Sequence, residues 1–310
     1  MSPGPAPSGA AEKRPEPLFI LCPPRSYSSV ISGMIGQHPQ CYGLPELNLM
    51  VADTLGEVWN HASMYMRTFG RDGLLRTIAE LHEGAQTPDS VVRAREWIEQ
   101  RTDWSTKAVF DHIQELAGPK ILVEKSPLFV HQKSFMDRLL GMFPNANLLH
   151  LTRHPRSMGA SVVAQLEKQG RGRMLRNNVA RDPEEVWLQT HQRVLASTEG
   201  LPVGQCMRLK GEAFLAQLDT YLPQVCDWLG IRRDDEALAA MLHPEDSPYA
   251  APGPRGAPRG NDPNFLEEPQ LDFERVLRIK EPLLTGELSW RPGGEFGEAT
   301  VKLAKQLGYS

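Results

Sequence analysis

The sequence predicts an α/β protein of one domain, a parallel β-sheet flanked by helices, and three observations carry that reading. Four short apolar runs, LFILC (18–22), ILVE (121–124), LLHLT (148–152) and CMRL (206–209), have the length and composition of buried strands. Helical patterns lie between them, and strands that alternate with helices build parallel sheets. Cations follow three of the runs closely: PPRSYSSV (23–30), Lys125-Ser126-Pro127 and Arg153-His154-Pro155-Arg156.

The chain has 310 residues, a length at which α/β folds commonly remain one domain, and its 40% apolar content is enough for a substantial core. A formal net charge of −4 leaves no general basic surface, and no basic stripe is interleaved with aromatics, so a nucleic-acid binder is excluded. Any cationic site must therefore come from local arrangement. Cys22, Cys41, Cys206 and Cys226 are widely spaced, without a CxxC pair or zinc-ligand spacing, and read as reduced core thiols. No apolar window reaches the length of a membrane span, and the start of the chain lacks the apolar stretch of a signal peptide. A cytoplasmic protein is expected.

Residues 1–16 are rich in Pro, Gly, Ala and Ser and are expected to form a disordered leader, with the folded domain running over 17–310. Asp182-Pro183-Glu184-Glu185 supplies an N-cap, a first-turn proline and an N3 carboxylate, which predicts a helix through Val186, Trp187, Thr190 and Val194. Phe214, Leu218, Leu222, Val225 and Leu229 form one amphipathic stripe closed by Gly230 as a C-terminal cap. The stretch 247–269 carries six prolines and three glycines without periodicity, so a long loop covering a site is expected there.

Ligands of open parallel sheets sit outside the carboxyl ends of the strands, which directs attention to the cationic residues found there. After the first run, Val30, Ile31, Met34 and Ile35 fall at helical spacing, so a helix begins at Ser28-Ser29. Its free N–H groups and the positive end of its dipole suit a phosphate, with the Ser26, Ser28 and Ser29 hydroxyls as donors and Arg25 as the full charge. After the third run, Arg153 and, eight residues on, Ser161 along a helix from Ser157 are placed to hold a second phosphate.

These residues carry a family resemblance. PPRSYSSV and LLHLTRHPRSMGASVV resemble the 5′- and 3′-phosphate motifs of sulfotransferases that use 3′-phosphoadenosine 5′-phosphosulfate (PAPS), and the Arg153–Ser161 spacing matches the 3′-phosphate signature of that family. Arginine in the first loop is similar to protein-tyrosine sulfotransferases and to bacterial enzymes of polyketide pathways, including curacin-type domains. Glu124-Lys125-Ser126-Pro127 resembles the EKSP segment of heparan and related sulfotransferases, and 288–309, with Trp290-Arg291-Pro292 and a closing LGY, resembles the ending of the bacterial group.

The resemblance implies the P-loop NTPase-like sulfotransferase fold, PAPS as co-substrate, adenosine 3′,5′-bisphosphate as product, and no metal. It implies Arg25, Ser26, Tyr27, Ser28, Ser29, Arg153 and Ser161 as nucleotide contacts. Either Arg255-Gly256 or Arg259-Gly260 would close over the 3′-phosphate. Glu46, on the first crossover, is the candidate base, with Arg25 and Lys125 stabilising developing charge. Asn48 and Ser126 fall on the acceptor side. Two departures stand out: Tyr27 occupies a position where the family has glycine, and Asn48 one where the curacin-like group commonly has histidine.

The acceptor expected is a hydroxyl on a hydrophobic small molecule or a carrier-bound acyl chain, in keeping with Met50, Trp59, Met64, Tyr65 and Phe69 in the region 49–120. Two rivals stay open at this point. A nucleotide kinase shares the loop–helix phosphate logic but lacks a GxxxxGK[ST] motif here, and a nucleotide-binding module without turnover would account for Tyr27 and Asn48.

Overall fold

The structure is a computed structural model that describes residues 14–172, 181–279 and 281–310. Most of the expected leader, residues 1–13, lies outside the described residues. Five strands form one sheet in the order β2–β3–β1–β4–β5, with every neighbouring pair parallel. The strands are β1 (Leu18–Leu21), β2 (Cys41–Gly43), β3 (Ile121–Glu124), β4 (Asn147–Thr152) and β5 (Cys206–Lys210). Four match the apolar runs; β2 is an addition, a three-residue edge strand with no apolar run to announce it.

Side chains alternate across the sheet as the strand period requires. Phe19, Leu21, Leu122 and Leu148 enter a core on one face, and Leu18, Ile20, Val123 and Leu149 enter a second core on the other. Phe19 shows how tightly the first core is built, its ring centroid lying 5.6 Å from Phe110, 5.5 Å from Phe129 and 5.1 Å from Phe143. Truncating such a ring typically costs about 3–5 kcal/mol.

The crossovers supply α1 (Ser28–Gly36), α2 (Leu55–Trp59), α3 (Asp72–Glu83), α4 (Pro88–Glu99), α5 (Thr106–Ala117) and α6 (Lys133–Met142). Then come α7 (Pro155–Lys168), α8 (Pro183–Thr198), α9 (Gly211–Ala216), α10 (Leu218–Leu229) and α11 (Asp235–Ala240). The last part of the chain adds α12 (Pro263–Glu267), α13 (Phe273–Leu277) and α14 (Glu298–Gln306). Among the described residues no helix is long and apolar enough to cross a membrane.

Local expectations were met and corrected in turn. Asp182 caps α8 by accepting from the Glu184 N–H at 2.8 Å, and Gly230 closes α10 in the left-handed region at φ 67°. The single stripe 214–229 is two helices, because Gln217 leaves helical geometry at φ −139°, ψ 55°. The helix after β4 starts at Pro155, capped by the His154 ring accepting from the Arg156 N–H, not at Ser157. Within 247–269 the chain is not loop throughout, since Asp262 caps the short helix α12. Cys22, Cys41 and Cys226 are buried and Cys206 is half-buried; all four are free thiols.

β1 is central, with its crossover partners β3 on one side and β4 on the other. Such a change of direction opens a crevice at the carboxyl ends of the strands. The loop after β1, Lys125 after β3 and Arg153 after β4 all come together there.

Candidate active site

The loop between β1 and α1 is built on strained backbone. Among the described residues the non-glycine positions at positive φ are Arg25 (64°), Tyr27 (63°) and Asn48 (55°), and all three are candidate site residues. Tyr27 gives α1 no side-chain cap, so the positive end of this helix is left facing the crevice. Ser26 is fully buried and its hydroxyl has no hydrogen-bond partner among the described residues.

The Tyr27 ring lies where a Cβ on Gly211 would meet it at 2.7 Å, so the glycine at the start of α9 makes room for the side chain that replaces glycine in the loop. The Arg153 guanidinium stacks on this ring at 4.1 Å from its centroid and donates to the Arg25 carbonyl at 2.6 Å. Tyr27 thus carries the Arg153 guanidinium, a contact the sequence did not announce.

Arg153 is held from behind as well. Trp187 of α8 donates its indole N–H to the Arg153 carbonyl at 2.7 Å, and the His154 N–H donates to Glu212 at 2.9 Å. Tyr309, in the closing LGY, hydrogen-bonds Thr152 at 2.9 Å and donates to Glu212 at 3.2 Å. Trp290 packs on α7 where a Cβ on Gly159 would clash at 2.2 Å, and Arg291 pairs with Asp182 at the start of α8. The C-terminal segment therefore braces the helix that carries Ser161.

Arg25, Ser28, Arg153 and Ser161 line a cavity of about 180 Å³, joined by Asp262 and Phe265 from the late loop. Arg25 donates its Nε to the Ser161 hydroxyl at 3.1 Å and pairs through Nη1 with the Asp262 carboxylate. The two motifs after β1 and β4 are thus one site. Arg255 and Arg259, the two candidates for closing over the 3′-phosphate, are not among the residues that line it. Arg255 is exposed, and the Arg259 guanidinium lies 3.8 Å from the centroid of the Phe69 ring, away from the cavity lining. The Gly260 carbonyl instead accepts from the Glu46 N–H at 2.7 Å.

Glu46 is the hub of the second half of the site. One carboxylate oxygen accepts from the Lys125 ammonium at 2.7 Å, and the other accepts from the Tyr65 hydroxyl at 2.9 Å. Lys125 is 1% exposed and also donates to the Ser29 hydroxyl at 2.8 Å, so it ties Glu46 to the first turn of α1. Desolvation and the Glu46 charge push the Tyr65 phenol well above its ordinary pKa, which keeps it a donor, although 39% of the residue is exposed.

The backbone of 46–48 is clamped from β3. Glu124 accepts from the Leu47 N–H at 3.0 Å and from the Ser126 hydroxyl, whose oxygen in turn accepts from the Asn48 N–H at 2.9 Å. Full burial raises Glu124 to a pKa of about 8 against the hydrogen bonds that oppose the rise, so near neutral pH it is largely an uncharged acid. Asn48, left-handed as Asn tolerates, donates its amide to the Gly70 carbonyl at 3.0 Å and so fastens the segment that bears Tyr65. Ser126 and Asn48 are structural clamps around Glu46 in this arrangement. Glu124 opens the Glu124-Lys125-Ser126-Pro127 motif and Tyr65 belongs to the apolar acceptor region, but their contacts with the 46–48 segment carry no sequence signal, because they join residues 19 to 77 positions apart.

The arrangement offers cations and an orphan hydroxyl beside a helix N-terminus for an anionic nucleotide, with a carboxylate at its border. Among the described residues no group of three or more His, Cys, Asp or Glu side chains stands ready for a metal ion.

Comparison with solved structures places the fold. The sulfotransferase domain from the curacin biosynthetic pathway matches with a TM-score of 0.75 at 23% identity, over 96% of this chain and 99% of that one. The sulfotransferase domain from the Synechococcus PCC 7002 olefin synthase matches with a TM-score of 0.73 at 23% identity, over 97% of this chain and 98% of that one. Among curated protein sequences nothing matches. The model of the sulfotransferase family matches residues 17–235, more than half of the chain and every strand described above, and the chain belongs to that family.

Proposed function

We propose that this sulfotransferase uses PAPS and moves its sulfuryl group in line to an acceptor hydroxyl, with Glu46 as general base. One observation carries the reading: Lys125 bridges Ser29, at the helix N-terminus that suits the 5′-phosphate, and Glu46, whose second oxygen already receives a hydroxyl hydrogen bond from Tyr65. A carboxylate oriented by a buried ammonium on one oxygen, with a hydroxyl seated on the other, is what proton removal from an acceptor requires.

In this reading the acceptor hydroxyl takes the position of the Tyr65 hydroxyl or donates beside it. As the acceptor oxygen forms its bond to sulfur, its proton passes to Glu46, and the bond from sulfur to the bridging phosphate oxygen breaks. Lys125 and the first turn of α1 stabilise the charge that gathers on the sulfonate and the leaving phosphate. The 3′-phosphate falls to Arg153 and Ser161. The exposed Met64 beside Tyr65 supports an acceptor with apolar character. A hydroxyl on a hydrophobic small molecule or on a carrier-bound acyl chain fits this reading, and the domains that share the fold come from the curacin biosynthetic pathway and an olefin synthase.

The test is Glu46→Gln, which retains the shape but cannot take a proton. Turnover with PAPS and a working acceptor should fall by roughly a hundredfold to ten-thousandfold, while affinity for adenosine 3′,5′-bisphosphate barely moves. Because the variant leaves the buried Lys125 without its carboxylate, Glu46→Asp and a melting curve serve as controls for folding. Near-normal kcat in a folded Glu46→Gln protein would remove Glu46 from the role.

A further inference from the structure

Next to Glu46, through its partner Tyr65, stands a group of arginines that the sulfuryl-transfer chemistry does not use. Tyr65 opens the single-turn π-helix Met66–Gly70, a form that tends to mark functional sites, and Arg67 and Arg71 lie on it and directly after it. The Arg71 guanidinium lies 4.8 Å from the Trp59 ring centroid, and that of Arg95, reaching across from α4, lies 5.2 Å from the same centroid. Arg259 covers Phe69, which is itself stacked edge-on to Tyr65 with centroids 6.4 Å apart. This group is close to the candidate base: a Cβ on Gly73, two residues past Arg71, would meet the Glu46 carbonyl at 2.1 Å.

Among the described residues no carboxylate lies within ion-pair distance of Arg67, Arg71, Arg95 or Arg259. The Nε of Arg71 is buried with no hydrogen-bond partner among the described residues. The carboxylate of the neighbourhood, Asp72, accepts from the Arg259 backbone N–H at 3.0 Å and acts on Arg259 and Arg95 from beyond ion-pair distance. Desolvation, then repulsion from Arg95 and Arg67, lowers the Arg71 pKa, so the group is under electrostatic strain as it stands. Guanidinium groups gathered on aromatic faces, one with a buried unsatisfied donor, make a receptor for an oxyanion.

We infer that Arg71 and Arg95, set on Trp59, with Arg67 on the adjoining π-helix and Arg259 on Phe69, form a subsite for an anionic oxygen group carried by the acceptor, a phosphate or a carboxylate some distance from the hydroxyl that reacts. The inference rests on the reading of Glu46 as the acceptor's neighbour, and it narrows the acceptor class: an apolar hydroxylated chain that ends in, or is tethered through, an anion.

The experiment has an equilibrium arm and a turnover arm. In the first, an ω-hydroxyalkyl phosphate, the matching ω-hydroxyalkanoate and the neutral diol are titrated against the full chain with adenosine 3′,5′-bisphosphate present, and Trp59 fluorescence is isolated by difference from Trp59→Phe. The anionic probes should change the Trp59 signal and the diol should not, with affinity falling about tenfold to a hundredfold in Arg71→Gln and in Arg67→Gln/Arg95→Gln. The phosphate and carboxylate probes separate the two sources of the anion by their relative affinity. In the second arm, kcat/KM with PAPS should favour the anionic acceptor over the diol, and that preference should collapse in the same variants. Anion binding at Trp59 without turnover of any acceptor would sustain the subsite and sink the sulfuryl-transfer reading. Absence of anion-dependent signal at Trp59, or an acceptor preference that survives in Arg67→Gln/Arg95→Gln, would overturn the subsite.

Discussion

Asp262→Asn should tighten nucleotide binding, and the structure sets the size of the effect. Asp262 comes from the late loop, caps α12 by accepting from the Asn264 N–H at 2.9 Å, and holds the Arg25 guanidinium with its other oxygen. Arg25 is thereby committed to a carboxylate in the same cavity where a phosphate would need it. A second anion placed about 5 Å from Asp262 would be repelled by about 3 kcal/mol at an effective dielectric of about 20. With side-chain exposures of 14% for Arg25 and 24% for Asp262, solvent screens part of this, leaving roughly 1–2 kcal/mol. Asparagine keeps the capping oxygen and removes the charge. Calorimetric affinity for adenosine 3′,5′-bisphosphate should therefore rise about fivefold to thirtyfold, while Asp262→Ala should gain less because it also loses the cap. Unchanged or weaker binding in a well-folded Asp262→Asn protein would refute the competition argument and assign Asp262 to holding the loop over bound nucleotide.

Arg153→Ala removes the cation stacked on Tyr27 and should weaken binding of adenosine 3′,5′-bisphosphate by roughly tenfold to a thousandfold; equal affinity by calorimetry would exclude Arg153 from the 3′-phosphate. Tyr65→Phe deletes one hydrogen bond to Glu46 and should alter kcat and the pH profile of turnover with little effect on nucleotide affinity, so an unchanged profile would place Tyr65 outside the reaction. Glu124, whose pKa is raised to about 8, binds its proton more tightly in the folded than in the unfolded protein, so stability should decline as pH rises from its ordinary carboxyl range toward about 8. Denaturant melts of Glu124→Gln should lose that slope; its persistence would assign the pH dependence elsewhere. The buried His150–His191 pair has the opposite sign, since burial lowers His150 to about 3 and His191 well below its ordinary value. Stability should fall as pH drops below the ordinary histidine value of about 6.5.

Most of the fold was legible because parallel strands buried on both faces read as apolar runs, as β1, β3 and β4 do, while the edge strand β5 keeps a shorter run around the exposed Arg208. β2 was not legible, since Cys41–Gly43 is short and lies at the sheet edge, its position set by pairing with β3 and not by its own composition. The Asp-Pro start of α12 repeats the Asp182-Pro183 signal of α8, but five residues are too few for an apolar period to confirm it. That Arg25, Lys125 and Arg153 gather at one end of the sheet was legible because parallel topology delivers strand ends to one place. Their partners could not be grouped: Arg25 meets Asp262 across 237 positions and Lys125 meets Glu46 across 79, contacts that only the packed chain defines.

Tyr27 shows the limit of reading a motif one position at a time. In the loop after β1 a glycine would adopt φ 63° without cost, whereas a tyrosine there is strained by about 1–3 kcal/mol and persists only if its surroundings return the difference. They do so from two distant parts of the chain: Gly211 leaves the space for the ring, and Arg153 stacks on the face that remains. The departure from glycine is therefore coupled to the arginine assigned to the 3′-phosphate, and substituting Tyr27 by glycine would relax the backbone while freeing Arg153 to move. The two effects oppose each other in stability but not in binding, where the loss of an oriented guanidinium should dominate. Tyr27→Gly should thus melt within about 1–2 kcal/mol of the parent yet bind adenosine 3′,5′-bisphosphate several-fold more weakly. Tighter binding in that variant would mean that the ring crowds the nucleotide and does not position Arg153.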